Sequence, residues 1–70
     1  MEVKEYTIEK NEYVYEQIWT LTKSYTRWTD GDCDYVKKKM DEVYKAQGEN
    51  ALLDFFNKLF KDIVRVKWEN

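Results

Sequence analysis

The sequence predicts a mainly α fold, a small three-helix bundle, and three observations predict it. Residues 11–29, 33–47 and 50–63 each keep their apolar side chains on one arc when stepped at about 100° per residue. The two glycines, Gly31 and Gly48, fall just past the first and second of these stretches, where helices stop. No proline interrupts any of them.

In the first stretch Val14, Ile18, Leu21, Tyr25 and Trp28 share a face, and Glu12, Glu16, Lys23 and Arg27 lie opposite. Asn11 is placed to cap this helix, because its side-chain oxygen can accept from an early backbone N–H. A competing reading exists. Tyr13-Val14-Tyr15 and Ile18-Trp19 are rich in β-formers, so a turn at Lys10-Asn11 would pair residues 2–8 with 12–22. That alternative is an α+β fold with an N-terminal hairpin and two helices. The helical stripe is longer than the β-rich runs, and the helix is favoured.

The second stretch places Cys33, Val36, Met40, Val43 and Tyr44 on one side, with Lys37, Lys38, Asp41, Glu42 and Lys45 on the other. Asp32 is expected to cap it. The third has the broadest apolar arc, made of Leu52, Leu53, Phe55, Phe56, Leu59, Phe60 and Ile63. Asp54 and Lys58 are spaced for an i,i+4 ion pair, as are Lys37 with Asp41 and Lys38 with Glu42. After Ile63 the pattern alternates through Val64-Arg65-Val66-Lys67-Trp68, and Val3 to Ile8 also resembles a strand. The termini are therefore expected either to pair as a short two-stranded β unit or to leave the last helix running on. The short connections at 29–32 and 47–49 make neighbouring helices antiparallel.

Seventy residues, 1–70, allow a single domain. Such a chain has difficulty burying enough surface, and small domains often add disulfides or metals. One cysteine cannot form an internal disulfide, and the absence of histidine removes the common zinc sets. Three Trp, six Tyr and three Phe remain to fill an aromatic-rich core. A lone thiol, no apolar leader and no long apolar run point to a cytoplasmic protein with no membrane partner. The abundance of Lys, Asn, Ile and Tyr suits AT-rich codons, as in an AT-rich bacterium or its phage.

No catalytic residue, metal site or cofactor is expected. The run Asp30-Gly31-Asp32-Cys33-Asp34 looks like the start of a calcium loop, with Asp41 in the last ligand position. Tyr35 stands where the turn needs Gly, and Lys37, Lys38 and Lys39 would crowd the cation, so capping by Asp32 explains the run better. Cys33 lies between two aspartates, with no histidine to serve as base. It reads as a small, half-buried hydrophobe.

The functional expectation is a non-enzymatic protein-binding module, with a phage-type inhibitor of a host protein as its narrower form. Tyr13 lies away from the stripe of the first helix, Trp19 at its edge and Tyr35 opposite the stripe of the second, and exposed aromatics are common interface anchors. With Asp30, Asp32 and Asp34 they form the expected partner-binding set, the acidic corner steering a partner with a basic surface. Two alternatives are carried. Lys37, Lys38, Lys39 and Arg27 would serve a small nucleic-acid-binding module, opposed by the three aspartates and a net charge of −2. A homodimer or larger homo-oligomeric structural component would instead cover the exposed aromatics itself.

Overall fold

The computed structural model describes residues 2–25 and 27–69. Three helices and two strands follow one another as β1 (Lys4–Ile8), α1 (Val14–Tyr25), α2 (Asp30–Gln47), α3 (Glu49–Leu59) and β2 (Val64–Trp68). The fold is mainly α, and its termini pair. β1 and β2 lie parallel, with Lys4 opposite Val64, Tyr6 opposite Val66 and Ile8 opposite Trp68. Parallel strands cannot be joined by a tight turn. The three helices together form the crossover between them. The helix that would have run on past Ile63 does not form, and neither does the N-terminal hairpin.

α1 is shorter than its expected span of 11–29. Residues 11–13 form a turn, in which the Tyr13 N–H donates to Asn11 Oδ1 at 2.7 Å. Asn11 thus shapes the entry to the helix rather than capping it directly. Residues 27–29 are not helical, and residue 26 lies outside the described residues. The buried line of α1 is Val14, Ile18 and Thr22, spaced by four. Leu21, Tyr25 and Trp28 are only partly buried against it. A hydroxyl on a buried face needs a partner, and Thr22 Oγ1 donates to the Ile18 carbonyl at 2.8 Å.

α2 starts three residues earlier than periodicity suggests. Thr29 is the N-cap, accepting from the Asp32 N–H at 3.1 Å, while Asp32 Oδ2 accepts from the Thr29 N–H at 3.3 Å. This reciprocal box satisfies two helix-end donors at once. Asp32 is therefore the partner of the cap rather than the cap, and Gly31 sits inside the first turn of α2 rather than past the end of α1. Val36 and Met40 are buried, with Cys33, Val43 and Tyr44 half-buried beside them.

Gly48 alone separates α2 from α3. Its φ of 90° and ψ of −172° belong to a region that essentially only glycine occupies. α3 buries Leu52, Leu53 and Phe56, and Phe60 follows as its buried C-cap. The helix ends at Leu59, four residues before the expected Ile63, because the chain must turn into β2. Leu59 and Ile63 are left exposed. In β2 the expected alternation appears, with Val64 and Val66 buried and Arg65 and Lys67 exposed.

The core runs from Ile8 through Val14, Ile18, Val36, Met40, Leu52 and Phe56 to Val64 and Val66. The Cα envelope measures 35 × 32 × 16 Å, a thin slab. That thinness leaves Tyr6, Tyr15, Trp19, Tyr25, Trp28, Tyr44 and Trp68 packed on the core but only half covered. The ion pairs among the described residues are Lys10–Glu49, Lys39–Glu42 and Lys67–Glu5, all on the surface. The expected pairs Asp54–Lys58, Lys37–Asp41 and Lys38–Glu42 are not among them. No helix of the described residues is long and apolar enough to cross a membrane.

The outer edge of β2 is closed by α3. Asn57 Nδ2 donates to the Val66 carbonyl at 3.0 Å, and Asn57 Oδ1 accepts from the Val66 N–H at 2.8 Å. The side-chain amide stands in for one residue of a neighbouring strand. Val66 is buried, so losing this partner leaves two backbone groups unsatisfied. Asn57→Ala is expected to lower stability by about 1–3 kcal/mol, measured as a shift of the urea midpoint at unchanged slope.

Candidate interaction site at the free edge of β1

In a parallel pair, alternate residues of each strand turn their backbone groups toward the partner strand. The register and the bonds Lys4 N–H to Ile63 O (3.2 Å) and Glu69 N–H to Ile8 O (2.9 Å) fix which ones do so here. Lys4, Tyr6 and Ile8 face β2. Glu5 and Thr7 therefore turn both their N–H and their C=O away from the sheet.

This outer edge runs beside α1. The Tyr6 and Tyr25 hydroxyls are hydrogen-bonded, with ring centroids 6.0 Å apart. At the other end Gln17 Nε2 donates to the Glu9 carbonyl at 2.9 Å. These two ties show α1 running back antiparallel along β1. Between them lies a groove of about 420 Å³ with largely apolar walls. Tyr6, Thr7 and Ile8 form one side, Glu16, Thr20 and Leu21 the other, and Gln17 lines it beside its bond to Glu9.

The two sheet edges are treated differently. Asn57 and the Phe60 carbonyl, which accepts from the Val64 N–H at 3.0 Å, cover the edge of β2. Just past the end of β1, the Glu9 carbonyl is taken up by Gln17. No backbone or side-chain group among the described residues meets the outward N–H and C=O of Glu5 and Thr7.

Charge around the groove is mostly negative. Glu16 lines it, and Glu9 and Glu12 stand exposed at its Gln17 end. Of the nearby cations, Lys4 stands exposed on β1 and Lys67 pairs with Glu5 at 3.5 Å, while two others are turned elsewhere. Lys10 reaches Glu49 at 3.5 Å and lies 5.4 Å from the centre of the Trp68 ring, while Lys23 stands 5.6 Å from that of Trp19.

The side chains singled out by sequence occupy other parts of the surface. Tyr13 and Tyr35 are 57% and 63% exposed, in the turn before α1 and on the second turn of α2. Lys39 stands 5.6 Å from the Tyr35 ring centre. Asp30, Asp32 and Asp34 are exposed around the start of α2, so Tyr35 and the acidic corner are neighbours along the helix. Trp19 is half-buried and packs against the core. Among the described residues, no hydrogen bond, ion pair or ring contact links Tyr13 or Trp19 to the α2 group. Lys37 and Lys38 are exposed next to Asp34, while Lys39 is drawn onto Glu42 at 3.7 Å. Cys33 is a half-buried free thiol. Among the described residues no group of three or more His, Cys, Asp or Glu is arranged to hold a metal ion.

Between α1 and α2, Tyr15 packs on Tyr44 at a centroid distance of 5.8 Å, and its hydroxyl reaches toward the Lys37 carbonyl at 3.5 Å. Burial raises the pKa of this phenol well above its ordinary value, reinforced by a hydrogen bond to Asp41 and the negative charges of Asp41 and Glu16. The Tyr25 hydroxyl is raised too, first by its hydrogen bond to Tyr6 and then by burial.

No protein-family model matches the chain, and neither a curated protein nor a solved structure matches it.

Tyr35→Ala and Tyr13→Ala are expected to change stability by less than about 0.5 kcal/mol, as exposed positions do. Trp19→Ala should cost roughly 2 kcal/mol, because half a Trp face is uncovered from the core. Thermal melts of the three variants check this ordering. A second expectation concerns alkali. The unfolded Tyr15 loses its proton near pH 10.0, before the folded one does. The stabilisation from keeping the phenol neutral is thus present below about pH 10 and lost as pH rises toward the folded value. Native stability should fall more steeply above pH 10 than that of Tyr15→Phe, in urea titrations at stepped pH.

Proposed function

We propose that this chain is a non-enzymatic protein-binding module. The observation that carries the reading is the free backbone edge of β1 beside an apolar groove. An edge of this kind is open to pairing with a further strand, and natural proteins usually block such edges when they are not used. Tyr13, Tyr35 and the corner formed by Asp30, Asp32 and Asp34 are proposed as further contacts. Exposed tyrosines anchor interfaces, and a compact group of carboxylates speeds encounter with a basic surface. The narrower form, a phage-type inhibitor of a host protein in the cytoplasm, is supported by small size, acidic balance and off-core aromatics.

The test is affinity capture from nuclease-treated lysate with the tagged full chain. The double variant Tyr13→Ala/Tyr35→Ala is run in parallel, since neither change should disturb the fold. One protein retained at near-equal stoichiometry, and held about tenfold more weakly by the variant, is the expected result. Recovery of nucleic acid that elutes steeply with salt would move the assignment to the lysine-bearing face of α2. Recovery of the chain alone, with a melting temperature that rises with concentration, would make it a self-assembling component.

A further inference from the structure

We infer that the groove between β1 and α1 takes an extended polypeptide segment, which adds as a strand to the outer edge of β1 and carries Lys or Arg at alternate positions with apolar side chains between them. The inference rests on the protein-binding reading and specifies the chemistry of the partner.

Three observations fix the occupant. The first is hydrogen bonding. Glu5 and Thr7 offer two N–H and two C=O groups in one row, spaced as strands are, and only another extended backbone matches all four. A helix has no free backbone groups along its length to meet them. The second is shape. The groove of about 420 Å³ lies at the Thr7 end of that row and has a largely apolar lining, including Ile8 and Leu21, so side chains that point into it should be apolar. In a strand these come at every second position, which leaves the intervening residues at the rim. The third is charge. Glu16 is the charged side chain on the wall and favours cations at the rim positions beside it, and Lys10 and Lys23 are held away on Trp68 and Trp19.

Gln17 marks one limit of the site, since its amide already occupies the Glu9 carbonyl. The added strand therefore reaches from Thr7 toward the N-terminal side of β1, past Glu5.

The inference is tested by selecting short random peptides on the immobilised full chain, then mapping the best binder by amide hydrogen exchange. Peptides alternating basic and apolar residues should be enriched, and the Glu5 and Thr7 amides should gain protection. N-methylation of alternate peptide nitrogens should weaken binding about tenfold or more, through lost backbone bonds. Two chain variants complete the test. Thr7→Pro removes an outward donor that the β1–β2 ladder does not use. Glu16→Lys inverts the wall charge at an exposed helical position and guards against a folding defect in the first. Each should weaken the peptide about tenfold, and Glu16→Lys should flatten the salt dependence. Selection of acidic or helical peptides, of none at all, or of binders indifferent to both variants would overturn the inference. If lysate capture of a protein survives Thr7→Pro and Glu16→Lys unchanged, the binding-module reading stands and the strand-addition inference falls.

Discussion

Everything in this small domain depends on the parallel pairing of its two ends. β1 is the first element and β2 the last, so their ladder closes only when the helical crossover has brought Lys4 beside Val64. A hairpin could form from neighbouring residues, but this pair cannot. It requires the longest loop closure the chain can make, and contacts of that range slow folding and bind it into one cooperative unit. The reward is burial. Ile8, Val64 and Val66 become fully covered only as a pair of strands under the helices, and they join Ile18, Leu52 and Phe56 in one continuous core. With no disulfide among the described residues and a slab only 16 Å thick, the pairing of the ends replaces the covalent staple that small domains often carry.

A two-stranded parallel sheet also creates a problem, because both strands are edges. The structure handles them with side-chain amides. Asn57 offers a donor and an acceptor in the geometry of a peptide unit and closes the edge of β2 at Val66. Gln17 does half of the same at Glu9, contributing its N–H alone. Between that point and the N-terminal end of β1 no such group among the described residues stands over the edge. α1 is held off the strand by the Tyr6–Tyr25 contact at one end and by Gln17 at the other, and a groove opens between the two ties. The asymmetry follows from how each helix meets the sheet. α3 packs directly beside β2, whereas α1 meets β1 at its ends.

Much of the architecture was legible in the residues because burial in helices follows periodicity. Val36 with Met40, and Leu52 with Leu53 and Phe56, lie where their wheels place them. The alternation after Ile63 left a strand open beside a longer last helix, and β2 forms there, its one buried face following period two. Helix ends were less legible. Thr29 and Asp32 satisfy two donors together, which moved the start of α2 back to Asp30 and drew Gly31 into the helix. Thr22 took the place of Leu21 on the buried line of α1, because its hydroxyl is satisfied by the Ile18 carbonyl and the residue then behaves as an apolar one. Trp19, at the edge of the apolar stripe, is half-buried and lends its ring to the cover of a thin core.

The groove itself left almost no trace in the sequence, and the reason is physical. The groups proposed for recognition are the backbone N–H and C=O of Glu5 and Thr7, a pair which every residue except proline carries. What makes them available is direction. The strand register decides that they point away from β2, and register depends on residues at the opposite end of the chain. Sequence patterns reveal groups whose chemistry is carried by side chains, such as the acidic start of α2 or the exposed Tyr35 ring. They are silent about a backbone row that becomes a site only because one edge is covered by Asn57 and the other is not. The side chains around it add selectivity. Glu16 and Leu21 lie five residues apart on α1 and line the same groove, one supplying charge and the other an apolar wall, in a stretch where neither looks unusual.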